Sequence, residues 1–262
     1  TADNYGTLAS LANDTPAKAA FLTTAQRIQD LVTALRAANS TYRDFFGSIW
    51  TGITVSDGVG SKAEYDALNA LVNATKDYSW GTYSYTTAAK FMETLTANYN
   101  LVAAVIANDL VAKFLAVYGV DVTDGDDLSK YNVTLAEYET LAGITNTPGY
   151  VQADLITSLL NEVSRDQKIT DLETALMAMS SADKTFFNTV YSMDITDGAN
   201  ADERVILGRI VDVGGYPTAS AWTTGFEASA AFKRAVEGIG TYAVQSLKFG
   251  RSIDLSNITA DN

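Results

Sequence analysis

The chain has neither cysteine nor histidine among its 262 residues. Without cysteine there are no disulfides and no thiolate metal sites. Without histidine there is no Ser-His-Asp or Cys-His nucleophile pair, and nearly all zinc chemistry is gone. Only three prolines occur. Pro16, Pro148 and Pro217 each read as helix starts. Positive charge is short too: 18 Lys and Arg against 31 Asp and Glu leave a formal charge of −13. That balance argues against a nucleic-acid backbone or an anionic membrane as partner, and it keeps the chain soluble. The longest apolar runs, 101–106 and 110–117, are broken by Asn108, Asp109 and Lys113. Neither approaches the roughly 20 apolar residues a spanning helix needs. No basic-then-apolar leader opens the chain, and a start at Thr1 fits a mature form with its leader removed or a shortened chain.

A short unit is present three times: a hydroxyl residue, Asp, Gly, then a helix-start signal. It reads Ser56-Asp57-Gly58, Thr123-Asp124-Gly125 and Thr196-Asp197-Gly198. The helix starts that follow, Ser61/Glu64, Thr134/Glu137 and Asn200/Glu203, all have capping-box spacing. Upstream, Ile28, Asp30, Leu31, Thr33, Ala34 and Leu35 align with Ile169, Asp171, Leu172, Thr174, Ala175 and Leu176. The same offset brings Phe45-Phe46 onto Phe186-Phe187, with Phe114 near the equivalent place in the middle copy. Chance similarity in an Ala/Thr-rich chain is the competing explanation, but three independent signals keep their order.

Helical periodicity dominates the chain. Thr15-Pro16 opens an amphipathic helix to about Ala38, and a second carries Tyr42 to Trp50. Ala63 to Ala74 reads as helix. Residues 86–118 follow with an expected interruption near Asn98–Asn100. Thr147-Pro148 is expected to start a helix that carries Val151, Leu155, Leu159, Leu160 and Val163. Helices at 169–179, 182–192 and 201–211 come next, and Pro217 starts the last stretch. No sustained period-2 pattern appears. The expected fold is therefore all-α: a helical repeat array of about three helix–turn–helix units with Asp-Gly turns, plus a C-terminal helix. Its segments are an N-terminal arm (1–14), repeat 1 (15–77), an aromatic connector (78–85), repeat 2 (86–146), repeat 3 (147–215), the C-terminal helix (216–249) and a tail (250–262).

The Asp-Gly turns invite a calcium reading, yet they fail as EF-hands. Placing Gly125 or Gly198 at loop position 6 puts Val120, Val122 and Tyr131, or Met193, Ile195 and Arg204, at ligand positions. An irregular site could still use Asp121, Asp124, Asp126 and Asp127, making calcium the one candidate cofactor. The structural alternative is a turn whose Gly supplies positive φ and whose Asp or Thr satisfies backbone donors. Paired carboxylates are inevitable among so many acids and point to no glycosidase. No residue is singled out as catalytic. Tyr78, Trp80, Tyr83 and Tyr85 can stack on sugars or a neighbouring subunit, or close over the repeat core. Trp222 and Phe226, on the Gly-bearing last helix, are further interface candidates. Five Asn-x-Ser/Thr triplets, at Asn13, Asn39, Asn73, Asn132 and Asn257, permit glycosylation of an exported chain.

The pattern Phe114-Leu-Ala-Val-Tyr118-Gly119, then Asp124-Gly125, then a further helix, resembles helical repeat modules of secreted bacterial proteins. These include the cell-surface-anchoring domains of type I-secreted S-layer proteins. Tyr191 with Asp197-Gly198 echoes it. The resemblance implies a lattice or surface-attachment protein, of a kind that often binds polysaccharide and calcium. The expected function is a non-enzymatic, secreted or cell-surface structural protein that assembles with itself or anchors to cell-surface polysaccharide. A carbohydrate-binding adhesin is the alternative, and an enzyme or helical toxin a more distant one. Neither a nucleic-acid partner nor a membrane span is expected.

Overall fold

The computed structural model describes residues 15–53, 61–72, 78–80, 83–123, 133–213 and 215–248; of these, 15–21, 78–80, 83–84 and 238–248 are described by their backbone. Ten helices among the described residues make the fold all-α, one short hairpin aside. The chain divides into two compact units, Thr1–Leu160 and Asn161–Asn262.

The first unit holds α1 (Thr15–Ala37), α2 (Ser40–Ile49), α3 (Lys62–Leu71), β1 (Tyr78–Trp80), β2 (Tyr83–Tyr85), α4 (Ala88–Ala107), α5 (Val111–Tyr118) and α6 (Leu135–Thr145). The apolar helix α4 sits at its centre, packed against α1, α2 and α6. Phe46, Phe91, Leu95, Phe114 and Tyr138 are fully buried there. Local chemistry sets the helix ends. Asn39 caps α2 by accepting the Tyr42 N–H at 3.0 Å, so one of the Asn-x-Thr triplets is explained as a cap. The other four asparagines lie outside the described residues. All three capping boxes read from the sequence form, at Ser61/Glu64, Thr134/Glu137 and Asn200/Glu203.

The second unit takes the latter part of α7 (Gln152–Ala178), then α8 (Ser181–Tyr191), α9 (Ala201–Asp212) and α10 (Ala219–Lys248). Its core gathers Leu172, Leu176, Phe187, Ile195 and Leu207. The leucine seven places past each boxed N-cap, Leu68, Leu141 and Leu207, is buried in every case. Phe46, Phe114 and Phe187 are likewise at zero exposure.

Four expectations need correction. The connector 78–85 contains a hairpin, with Tyr78 paired to Tyr85, Ser79 to Ser84 and Trp80 to Tyr83. The reason is the short alternation Tyr-Ser-Trp and Tyr-Ser-Tyr around Gly81-Thr82, a hairpin signal too brief for a periodicity window. The interruption expected at Asn98–Asn100 falls instead at Asn108–Leu110, where Asp109 has φ +55°. Asn98 stays helical because its buried carboxamide accepts from the Thr145 hydroxyl at 2.6 Å. Thr147-Pro148 does not start a helix. Tyr150 N–H bonds to Thr147 O at 3.0 Å across Pro148 and Gly149, and Gly149 has φ +83°, a turn with Pro and Gly at its centre. Finally, α7 runs unbroken through the expected gap before 169; Leu160 and Val163 on it are exposed at 41% each, and Val151 just before it at 51%.

Candidate functional site

The acidic turns come first, because their carboxylates are the candidate metal ligands. Asp121 accepts from both the N–H and the hydroxyl of Thr123, each at 3.1 Å. Its own N–H bonds to Glu137 Oε1 at 3.0 Å, while Glu137 Oε2 takes the Thr134 N–H. The same set recurs before α9. Asp194 accepts from the N–H and hydroxyl of Thr196, and its N–H bonds to Glu203 Oε1 at 2.9 Å. Asn188 Nδ2 donates to Asp194 as well, at 3.0 Å. The Thr196 hydroxyl, then the Thr196 N–H, hold the Asp194 carboxyl below the usual carboxylate range. These bonds assign each Asp to its own turn and the boxed Glu to two donors at once.

The third turn is described in full. Gly198 takes φ +94°, the conformation expected for the Gly of an Asp-Gly pair. Beside it, Glu173 of α7 accepts the Ala199 N–H at 2.8 Å through one oxygen and pairs with Arg204 through the other. Asp124, Asp126 and Asp127 lie outside the described residues. Among the described residues no group of three or more His, Cys, Asp or Glu side chains is placed to hold a metal.

The register places Tyr78, Trp80, Tyr83 and Tyr85 on one face of the hairpin. Tyr85 is half-buried, edge-on to Phe91 of α4, and its hydroxyl accepts from Asn146 Nδ2 at 2.8 Å. That residue closes over the core of the first unit.

Trp222 and Phe226, the interface candidates on the last helix, are half-buried and pack against the core of the second unit. The two rings stack at 5.4 Å and 9°, and both contact Phe187 and Tyr191. They sit one turn apart on α10, on the face that meets α8. Tyr191 is partly desolvated in this cluster, which pushes its hydroxyl pKa up.

One edge of Trp222 remains in contact with solvent, and there the second unit opens into a groove of about 590 Å³. Its lining is Val190 and Tyr191 of α8, Ile206, Arg209 and Ile210 of α9, Val213, and Trp222. Val190 is 51% exposed and Val213 65%. Val205, Arg209 and Val213 recur every four residues, so Arg209 shares the outward side of α9 with exposed Val205, and exposed Val213 follows just past the helix end, away from the buried Leu207, Ile210 and Val211. The groove is open and concave, lined by six apolar or aromatic residues and one guanidinium. Its shape and lining suit docking of a segment with apolar side chains.

No family model, no curated protein and no solved structure matches the chain.

Proposed function

We propose that this chain is a self-associating structural protein of the cell exterior, joined to its copies through the groove of the second unit. The observation that carries the reading is the groove itself: exposed valines flanking Trp222 on a chain of charge −13. Like-charged subunits repel at long range, so lasting contact has to come from apolar area at short range. Open apolar patches of this kind mark interaction sites. Placement outside the cell, as in the resembled surface-layer modules, is supported by the absence of cysteine and histidine and the abundance of Thr, Ala, Asn and Asp. No described helix is long and apolar enough to cross a membrane.

Sedimentation velocity and negative-stain imaging over a range of concentration, salt and calcium test the reading. Association that grows with concentration and salt is expected, because salt screens the repulsion between copies. A chain that stays monomeric under every condition would overturn it, and binding in a glycan array would then favour the adhesin.

A further inference from the structure

Arg209 is the informative residue of the groove. The second unit has four described arginines, and three have carboxylate partners: Arg165 with Asp212, Arg204 with Glu173, Arg234 with Asp183. Arg209 is exposed at the rim and makes no ion pair or hydrogen bond among the described residues. An apolar floor beside an unpaired cation selects for an occupant with large aliphatic side chains next to a carboxylate. A second groove does not meet that demand, because no acidic residue lines it.

The segments beyond the outermost described residues, 1–14 and 249–262, contain one place where an acid is flanked on both sides by large aliphatics: Ile253-Asp254-Leu255. We propose that the groove takes this segment from a second copy of the chain, with Ile253 and Leu255 on the apolar floor and Asp254 against Arg209. The proposal rests on the self-association reading and names its donor.

Chain geometry decides between the same copy and another. Trp222, which lines the groove, is the fourth residue of α10, and the helix continues without a break to Lys248. Those 26 intervening steps carry the chain about 39 Å away at 1.5 Å per residue. Fully extended, the seven residues from Lys248 to Leu255 return at most about 25 Å. The segment falls short of its own groove by roughly 14 Å. The donor is another molecule. Because the groove lies at one end of α10 and the donor segment follows the other end, the contact is head-to-tail. Such contacts form rings where the rotation closes and filaments where it does not.

The test is a charge swap read by sedimentation velocity on full-length chains. Arg209→Glu gives a groove and a donor that are both negative, and Asp254→Arg gives both positive. Each variant alone should associate about tenfold more weakly than the parent. An equimolar mixture should recover association, since each groove then meets a donor of opposite sign. Circular-dichroism melts confirm that both variants fold, and Lys62→Glu in the first unit controls for net charge. If the parent associates but Asp254→Arg associates equally well, the donor assignment is overturned while self-association stands. If the mixture is no tighter than its components, the pairing is overturned as well. A parent that never associates removes both readings.

Discussion

The guanidinium of Arg165 lies directly over Gly208, so that a β-carbon built on the glycine would collide with Arg165 Nη2. Arg165 reaches across α9 there to hold Asp212 through two bonds, at 2.8 and 2.9 Å. Gly208→Ala should expel the guanidinium and break that pair. Both partners are well exposed, at 42% and 51%, so the lost pair costs at most about 1 kcal/mol. The gain in helix propensity is also about 1 kcal/mol. Stability should therefore change by less than about 1 kcal/mol. The sharper readout is a double-mutant cycle: Arg165→Ala should cost less in the Gly208→Ala background than in the parent, and equal costs would contradict the close approach.

Phe187 is fully buried among Tyr191, Trp222 and Phe226. Phe187→Ala should destabilise the second unit by about 3–5 kcal/mol, the usual cost of emptying an aromatic site. Val190→Ala, at a half-exposed position three residues on, should stay within about 0.5 kcal/mol. Denaturant unfolding followed by tryptophan emission separates the two. Similar losses for both would mean that the cluster is not the core of this unit.

Acid sensitivity should run through Asp183. Its side chain is 12% exposed and accepts from the Ser180 hydroxyl and from Arg234 at 2.7 Å. The Ser180 bond first, then Arg234, hold its carboxyl below the ordinary aspartate value of 3.8. A depressed folded pKa contributes stability that is present above 3.8 and is lost as pH falls below it through the folded value. Asp183→Asn should therefore flatten the acid limb of a melting-temperature profile between about pH 5 and pH 2. An unchanged acid limb would remove Asp183 from this role.

The boxed glutamate of α9 serves two donors, Asn200 N–H and Asp194 N–H. Glu203→Ala should cost about 1–2 kcal/mol, more than an ordinary exposed helix substitution, while Glu203→Gln keeps an acceptor and should cost about half. Glu137, which binds Thr134 and Asp121 in the same manner, should give a matching pair of values. Chemical denaturation of the four variants checks this, and a cost near zero for both alanines would show that the turns stand without their boxes.

The sequence by itself determined the features whose causes lie within one turn of the chain. The three capping boxes form because acceptor and donor are three residues apart and need no third party. The buried faces of α1, α4 and α9 follow from apolar spacing alone, and Gly198 takes the positive φ that its turn demands. Tertiary structure decided whatever depends on a partner distant in the chain. Asn98 remains helical because Thr145, 47 residues later, meets its carboxamide. Trp222 and Phe226 turn inward because Phe187 and Tyr191 of α8 offer them rings. The groove was hardest to see. Val205 and Val213 look like core in any window of sequence, and whether a neighbouring helix covers such a stripe is set by where that helix packs. Here the buried side of α9 joins the core of the second unit, while Arg209 and the adjoining Val213 stay open beside Val190 of α8.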